Sequence, residues 1–598
     1  MVRLYDTEIE LKSPRKMNVK IRKAVTIFNK NGNDNAELVF YYDKAKRIKN
    51  INIYIYNSLG IEEKKVKNKE IKDYSAADGF SLFNDNRLKY YDYVPLSYPY
   101  TIYYEYEYET SNTAFIPRWS PIGSYDQGIE SSNYTFTYAP GFNIQKSEKN
   151  LDKYNIEKKI TGNTIAYSAK NITPIQVENF SPSVLEMAPI VILASDTFHL
   201  EGVDGKASNW DEFGKWMYRH LLASRMDLPK ATKEKIKQLV NGVDDPVERA
   251  KIVYDYVQKK TRYISIQVGV GGWMPMLASD VDNLGYGDCK ALTNYTKTLM
   301  DAAGVESYYT AVYADSERTN IEKEVVSVQG NHVFLYIPSD EKDIWLECTS
   351  QDVPFGYQGT FTDDRDVLVI SSNGGKIKHT GIYKEEDSYQ KTDAACKITA
   401  NGSLEANISI RSAGVQYKNH YLLNTKNKRE ITDYYKSDYW TYINNLTIKD
   451  YQFDNDKDAI VFTEKLNVAV TDYAKFTGNR IMFEVNVFNK SKQIPNRYRN
   501  RKMPIEVSRG FLDEDVFSFF LPDGYTIEAM PQNIKLKTKF GTYTATIEKL
   551  SDTEIKYSRS FLFRKGTYPK EDYNAFRNFL KDIAKYDNSK IVLIKSQP

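Results

Sequence analysis

The chain has 598 residues and a mass of 69.1 kDa, which is enough for three or more domains. Its 82 Lys and Arg residues nearly balance its 79 Asp and Glu residues, so the net charge of +3 gives no support to binding of nucleic acid or another polyanion. No apolar run approaches the ~20 residues of a membrane-spanning helix, and three cysteines do not make a disulfide framework.

The first third of the chain, residues 1–205, is predicted to consist of β-strands. Apolar and polar residues alternate through runs such as 36–42, 51–56 and 101–108, and polar turns separate these runs. Many of the 48 tyrosines fall in such runs, where a ring can be half-buried while its hydroxyl stays wet. The pattern predicts an antiparallel β-sandwich with a positioning or recognition role, because no cluster of catalytic residue types occurs here.

Helical patterns replace the strands after residue 206. Amphipathic helices are predicted at 210–222 and 233–240, and a third begins with Asp245 as N-cap and Pro246 in the first turn. Strand patterns follow further along. The order of helices first and strands afterwards predicts an α+β core over residues 206–370.

One cysteine in this core lies where a thiolate would be stabilised. Segment 285–292 is a glycine-punctuated turn that runs into a helix, with Asp288 as a plausible N-cap and Cys289 in the first turn. The unpaired N–H groups and the positive end of the helix dipole favour an anion there, which makes a thiol a better nucleophile. An apolar stripe from Leu292 to Ala303 supports the helix, and Gly304 is its predicted stop.

A base and an acid can be assigned from a predicted hairpin at 331–348. If Ile337 faces Ile344 across the loop, His332 and Glu347 lie on one face as diagonal neighbours. Glu347 could then orient the His332 ring, which would complete a Cys-His-acid arrangement. Asp343, in the loop, is the weaker candidate for the acid.

Strands return from residue 371 and continue to the end of the chain. Residues 371–598 are predicted to form a mainly-β domain in which part of 415–442 is helical. A helix at 571–585, with an apolar face that includes Phe576 and Ile583, precedes a last strand.

The chain order of Cys289, His332 and Glu347 resembles that of the transglutaminase-like superfamily. The papain-like core of that superfamily has the cysteine at the start of a helix and the His and the acid on adjacent strands. The sequence segments that carry the resemblance to one bacterial subgroup are Tyr263-Ile264-Ser265-Ile266-Gln267, Gly271-Gly272-Trp273, Gly285-Tyr286-Gly287-Asp288-Cys289-Lys290, Gly330-Asn331-His332-Val333 and Trp345-Leu346-Glu347-Cys348-Thr349-Ser350. The resemblance implies a core flanked by two β-rich domains of unknown function. Many superfamily members have aspartate where this chain has Glu347, so the acid departs from the family pattern, although glutamate has the same charge and a longer reach.

Attack on an amide carbonyl also needs donors for the oxyanion. The N–H of Cys289 can supply one. In the family an upstream Gln or Trp supplies another, and Gln267 and Trp273 are both candidates here.

The predicted function is therefore thiol-dependent acyl transfer on a peptide or protein substrate, with hydrolysis as the default outcome. An amine-accepting transglutaminase and a non-catalytic binding or assembly protein that keeps the core as scaffold remain alternatives. No phosphate loop, His-Glu-x-x-His or paired Cys-x-x-Cys is present, so neither a cofactor nor a metal is predicted. The resemblance implies an exported protein, periplasmic or at the cell surface, although the sequence as given shows no signal peptide. Substrate identity and oligomeric state are left open.

Overall fold

The computed structural model describes residues 1–76, 81–84, 86–267 and 272–596, although nothing is described of the side chains at 81–84, 266 and 267. The chain is multidomain and strongly β-rich, with several sheets and few helices. It divides into two compact units. The first comprises residues 1–177, 183–351 and 364–380, and the second comprises 178–182, 352–363 and 381–598. The predicted domain boundaries near residues 205 and 370 stay predictions.

An eight-stranded sheet forms the N-terminal part of the first unit. Its strands, in spatial order, are Glu157–Thr161, Thr164–Ile172, Ile129–Tyr138, Val2–Ser13, Lys16–Ile27, Tyr100–Thr110, Lys46–Tyr56 and Glu62–Lys65. The sheet is not wholly antiparallel as predicted, because Val2–Ser13 pairs in parallel with Ile129–Tyr138. A parallel pair needs a long connection, and more than a hundred residues separate these two strands, so no hairpin signal could reveal it.

Smaller strand groups surround this sheet in the first unit. They are Leu38–Tyr42 with Arg87–Tyr91 and Lys72–Ser75, Ile144–Lys149 with Ile190–Ser195, Thr197–Leu200 with Val203–Lys206, Arg262–Tyr263 with Tyr286–Gly287, and Ser81–Asn84 with Ser265–Gln267. The last pair joins a segment of the N-terminal region to the segment that precedes the Cys289 helix. The N-terminal region and the core are therefore linked by backbone hydrogen bonds as well as by the chain.

The core of the first unit places helices before a five-stranded sheet, in the predicted order. The helices are Val184–Met187, Trp210–Met217 (continued as a π-helix by Tyr218–Leu222), Lys230–Leu239, Pro246–Lys260, Ala278–Leu284 and Cys289–Ala302. The sheet has the spatial order Ile344–Leu346, His332–Ile337, Tyr308–Val312, Asp366–Ser371 and Gly374–His379. Asp245 caps the third of the predicted helices through the N–H of Val247, and Pro246 begins it.

The second unit is built on another eight-stranded sheet. Its strands, in spatial order, are Leu446–Asp456, Val461–Val470, Leu404–Ala413, Tyr389–Ile398, Phe511–Phe520, Glu554–Phe563, Gly541–Lys549 and Ile534–Thr538. The other strands of this unit are Lys475–Thr477, Arg480–Glu484, Lys590–Lys595 and Tyr525–Ala529 in one group, and Ile505–Val507 with Gly566–Tyr568 in another. Its α-helices are Lys428–Asp433 and Tyr573–Asp587, and the latter buries Phe576 and Ile583.

Among the described residues, none of the helices is both long enough and apolar enough to cross a membrane.

Candidate active site

The helix Cys289–Ala302, called the Cys289 helix below, is the most buried helix of the core. Its N-cap is Asp288, whose Oδ1 accepts a 2.9 Å hydrogen bond from the N–H of Ala291. Cys289 is the first helical residue and is 9% exposed. Within the part of the chain that the structure describes, no acceptor is bonded to the Cys289 N–H, as is usual for a first-turn donor.

His332 begins the strand His332–Ile337, which pairs on one side with Ile344–Leu346 and on the other with Tyr308–Val312. Ile337 faces Ile344, so the predicted register of the hairpin is confirmed. Trp345 stacks on Phe334 with ring centroids 5.4 Å apart, which places the two rings on one face of the sheet. The register explains why Glu347, just beyond the second strand, lies beside the His332 ring.

Glu347 holds the His332 ring at one nitrogen. Its Oε2 lies 2.8 Å from Nε2 of His332, and the two side chains are 14% and 11% exposed. Its Oε1 accepts a 2.9 Å hydrogen bond from the N–H of Thr349, and its backbone carbonyl accepts one of 2.7 Å from the Tyr254 hydroxyl. The carboxylate is therefore fixed by both its own oxygens and its backbone.

Cys289 acts on the same ring as Glu347. Burial alone lowers the pKa of His332, but the charge of Glu347, a side-chain hydrogen bond with Cys289 and the hydrogen bond with Glu347 together raise that pKa to about 10. Burial also acts on Glu347, where it opposes His332 and Thr349, and the net effect is a pKa below the usual range of a glutamate.

The two other cysteines lie elsewhere and have different surroundings. All three cysteines are free thiols. Cys348 is 3% exposed and burial raises its pKa to about 12, while burial raises the pKa of Cys396, 0% exposed, further still. Thiolates are therefore disfavoured at both positions.

Asp343 does not lie beside His332. Its carboxylate accepts a 2.6 Å hydrogen bond from the Tyr336 hydroxyl and pairs with the Lys378 ammonium at 2.6 Å. Of the two acidic candidates, only Glu347 is brought to the imidazole.

The structure describes the side chain of only one of the two candidates for the second oxyanion donor. Trp273 lines the cavity that contains Cys289 and His332, and its ring centroid lies 5.3 Å from that of Phe115. Among the described residues no acceptor binds its indole N–H. Gln267 ends the strand Ser265–Gln267, but its side chain lies outside the described part of the chain.

The cavity that contains Cys289 and His332 has a volume of about 450 Å³. Besides these two residues and Trp273, its lining includes Tyr309 and Lys290, neither of which the sequence singled out. The Lys290 ammonium pairs with the Asp288 carboxylate, and both residues are buried. Burial, and then the charges of Cys289 and Asp288, raise the pKa of the Tyr309 hydroxyl well above its usual range. In the described ranges no group of three or more His, Cys, Asp or Glu side chains is arranged to hold a metal ion.

The signals for these missed residues were weak. Lys290 belongs to the segment 285–290 that carries the family resemblance, but the sequence shows no role for it, because its burial depends on the pair with Asp288. Tyr309 is one of 48 tyrosines, and only the neighbouring strands and the Cys289 helix set it apart. Tyr254 lies on the buried face of the helix Pro246–Lys260, where sequence alone predicts a packing residue.

Two family matches cover parts of the chain. Residues 14–176 match DUF3857 and residues 479–593 match DUF3858, each described as a domain of unknown function with a solved structure. No curated protein matches the chain significantly.

Likeness to solved structures bears on the fold of the chain. A "putative protease" from Parabacteroides distasonis superimposes with a TM-score of 0.63 at 13% identity, over 99% of this chain and 99% of that chain. A "putative cysteine protease" from Cytophaga hutchinsonii, at 11% identity over 62% of this chain and 94% of that one, has a TM-score of only 0.17 and adds nothing to the fold. The chain thus shares the fold of the Parabacteroides protein along almost its whole length.

Proposed function

We propose that this chain is a thiol-dependent acyl-transfer enzyme that acts on peptide or amide bonds, with Cys289 as nucleophile, His332 as acid and base, and Glu347 as the group that orients His332. The observation that carries the proposal is the shared His332 ring. Glu347 lies 2.8 Å from one ring nitrogen, and Cys289, in the first turn of a buried helix, lines the same cavity as the ring and raises its pKa through a side-chain hydrogen bond. The helix-then-sheet order of the core supports its assignment as a papain-like, transglutaminase-like core.

The raised pKa of His332 supports an imidazolium at neutral pH, and an imidazolium beside Cys289 favours the thiolate. In the proposed reaction the Cys289 sulfur attacks the carbonyl carbon, and the carbonyl electron pair moves onto the oxygen. The N–H of Cys289 can donate to this oxyanion, and Trp273 and Gln267 stay candidates for a second donor. As the tetrahedral intermediate collapses, the C–N bond breaks and the His332 imidazolium gives its proton to the leaving amine.

The resulting thioester is resolved by a second nucleophile. His332, now neutral, takes a proton from water or from an amine as it attacks, and the thiolate leaves. Water gives a hydrolase, a cysteine peptidase or amidase, and this is the outcome we favour. An amine gives a transglutaminase. The fold shared with a protein described as a "putative protease" is in keeping with hydrolysis, although the likeness itself concerns the fold.

A screen of peptide substrates tests the proposal. Wild-type protein, Cys289→Ala and the matched control Cys348→Ala are incubated with a peptide library that contains glutamine, with and without a tagged amine. We expect shortened or deamidated peptides from the wild type and from Cys348→Ala, and none from Cys289→Ala. Tagged product would identify the transferase instead. Turnover that persists in Cys289→Ala would refute the role of this thiol, and no turnover by any of the proteins would favour the scaffold alternative.

A further inference from the structure

Part of the cavity wall comes from the N-terminal region rather than from the core. The lining residues from that region that matter here are Asp43, Lys46 and Tyr108. They lie at the turn before the strand Lys46–Tyr56 and on the neighbouring strand Tyr100–Thr110, which pairs with it. These residues therefore face the same space as Cys289 and His332, although well over a hundred residues separate them from both in sequence.

Lys46 is held in place by its backbone and by aromatic rings. The Asp43 carboxylate accepts hydrogen bonds of 2.7 Å from the N–H groups of both Ala45 and Lys46, which fixes the turn. The Lys46 ammonium lies 4.1 Å from the centroid of the Tyr108 ring and 5.6 Å from that of Tyr106. The position of the ammonium is therefore preorganised.

The Lys46 charge has no carboxylate partner among the residues that the structure describes. Among the described side chains, no Asp or Glu oxygen lies within 4.0 Å of its Nζ. Burial lowers the pKa of Lys46, and Asp43 raises it only in part. Two other charged residues of the lining are engaged: Lys290 pairs with Asp288, and the Glu201 carboxylate accepts a hydrogen bond from Asn112. A partly desolvated ammonium without a countercharge is costly, and a bound anion would offset that cost.

We infer that Lys46 binds a carboxylate of the substrate, so that the preferred acyl donors are acidic peptides. The carboxylate can belong to a side chain or to a free C-terminus, since the chemistry of recognition is the same. A charge-assisted hydrogen bond to the ammonium would position the peptide while its scissile carbonyl lies at Cys289. The structural alternative is that Lys46 serves only to pack on Tyr106 and Tyr108.

This role of Lys46 rests on the proposed function of Cys289. The test therefore measures the rate at which Cys289 is alkylated and not the rate of substrate turnover. Iodoacetamides that carry a carboxylate on spacers of increasing length, each matched by its primary amide, are reacted with Cys289, and the ratio of the two rates is taken. In the wild type we expect the iodoacetamide that carries a carboxylate to alkylate Cys289 faster than its matched amide at one spacer length. One charged hydrogen bond to the reagent would make this difference about ten-fold. In Lys46→Met the ratio of rates at this spacer length should fall to the value measured at the other spacer lengths. Lys46→Arg should restore much of the wild-type ratio.

Lys49→Met is the matched control. Lys49 lies on the same strand, its ammonium pairs with Glu109 at 3.2 Å, and it is not part of the cavity lining. We expect this variant to keep the wild-type ratio. A ratio that is the same at every spacer length in the wild type, or that Lys46→Met leaves unchanged, would overturn the role of Lys46. The ratio stays measurable even if Cys289 reacts as slowly as an ordinary thiol, which would contradict the proposed function instead.

Peptide substrates then separate the two sources of the carboxylate. Peptides with Glu or Gln at successive positions, and with a free or amidated C-terminus, are compared for wild type and Lys46→Met. Loss of preference for Glu over Gln in the variant identifies a side-chain carboxylate, and loss of preference for the free acid over the amide identifies the C-terminus. If Lys46→Met lowers kcat/KM equally for acidic and neutral members of every pair, Lys46 is a packing residue.

Discussion

Replacing Glu347 by Gln removes the charge that holds the His332 imidazolium while keeping the shape of the side chain. The amide oxygen can still accept a hydrogen bond from Nε2, so the position of the ring should be retained. Because both side chains are mostly buried, at 14% and 11% exposed, water screens their interaction only weakly. The variant therefore isolates the electrostatic part of the contact between Glu347 and His332.

The size of the effect follows from the distance between the charges. With Oε2 2.8 Å from Nε2 and the charges spread over both groups, the charge centres are about 4 Å apart, which at an effective dielectric constant of ~20 gives an attraction of ~4 kcal/mol. This corresponds to ~3 pKa units, which is comparable with the rise of the His332 pKa from 6.5 to about 10. In Glu347→Gln we expect that pKa to fall towards ~7, since one unit corresponds to 1.36 kcal/mol.

The rate at which iodoacetamide alkylates Cys289, measured from acid to alkaline pH, reports this change. Wild-type Cys289 should react rapidly through neutral pH, because His332 stays protonated and stabilises the thiolate. In Glu347→Gln the neutral-pH rate should fall by at least about ten-fold, because His332 then gives up its proton near neutral pH and no longer stabilises the thiolate. Glu341→Gln, an exposed change in the loop of the same hairpin, should leave the profile unchanged. If the Glu347→Gln profile superimposed on that of the wild type, the electrostatic coupling would be refuted.

Four further predictions concern stability and labelling. Because the folded pKa of His332 is raised, its protonated form stabilises the fold fully below pH 6.5, and this stabilisation is lost as pH rises towards about 10. The Tm difference between wild type and Glu347→Gln should therefore shrink over that interval, and a constant difference would contradict the shift. Asp288→Asn keeps the N-cap oxygen but leaves the buried Lys290 charge unpaired, so the free energy of unfolding measured in urea should fall by ~3–5 kcal/mol. A fall of less than ~0.5 kcal/mol would mean that the ion pair is not buried. Gly330→Ala should lower the free energy of unfolding by more than ~1 kcal/mol, because φ at Gly330 is +102° and the new Cβ would lie 3.0 Å from a backbone oxygen of the neighbouring strand. An unchanged Tm would contradict this geometry. Cys348→Ala should leave alkylation of Cys289 unchanged, and loss of the adduct would show that the labelled thiol had been misassigned.

Local chemistry explains what the sequence could predict of the site. The N-cap at Asp288 and the first-turn position of Cys289 depend on residues within one helical turn. The pairing of Ile337 with Ile344 depends on a short loop, and it fixes which side of the sheet Glu347 reaches. Each of these inferences needs only neighbouring residues, so the positions of the three groups could be proposed before the fold was known.

Features that depend on distant residues escaped prediction. The parallel pairing of Val2–Ser13 with Ile129–Tyr138 leaves no mark in either strand, since alternation is the same for parallel and antiparallel neighbours at a half-buried sheet. The contribution of Lys46 to the cavity depends on how the N-terminal region and the core pack within the first unit. The helix Ala278–Leu284 was missed because it is only 7 residues long and its N-cap, Leu277, makes no side-chain capping bond.

Covalent trapping of the nucleophile tests the central claim most directly. A peptidyl acyloxymethyl ketone, which alkylates an activated cysteine through its leaving group, is incubated with the native protein near neutral pH, and the adduct is located by mass spectrometry. The account predicts one adduct, on Cys289, that is lost in His332→Ala and retained in Cys348→Ala. An unmodified Cys289, or an adduct that persists unchanged in His332→Ala, would contradict it.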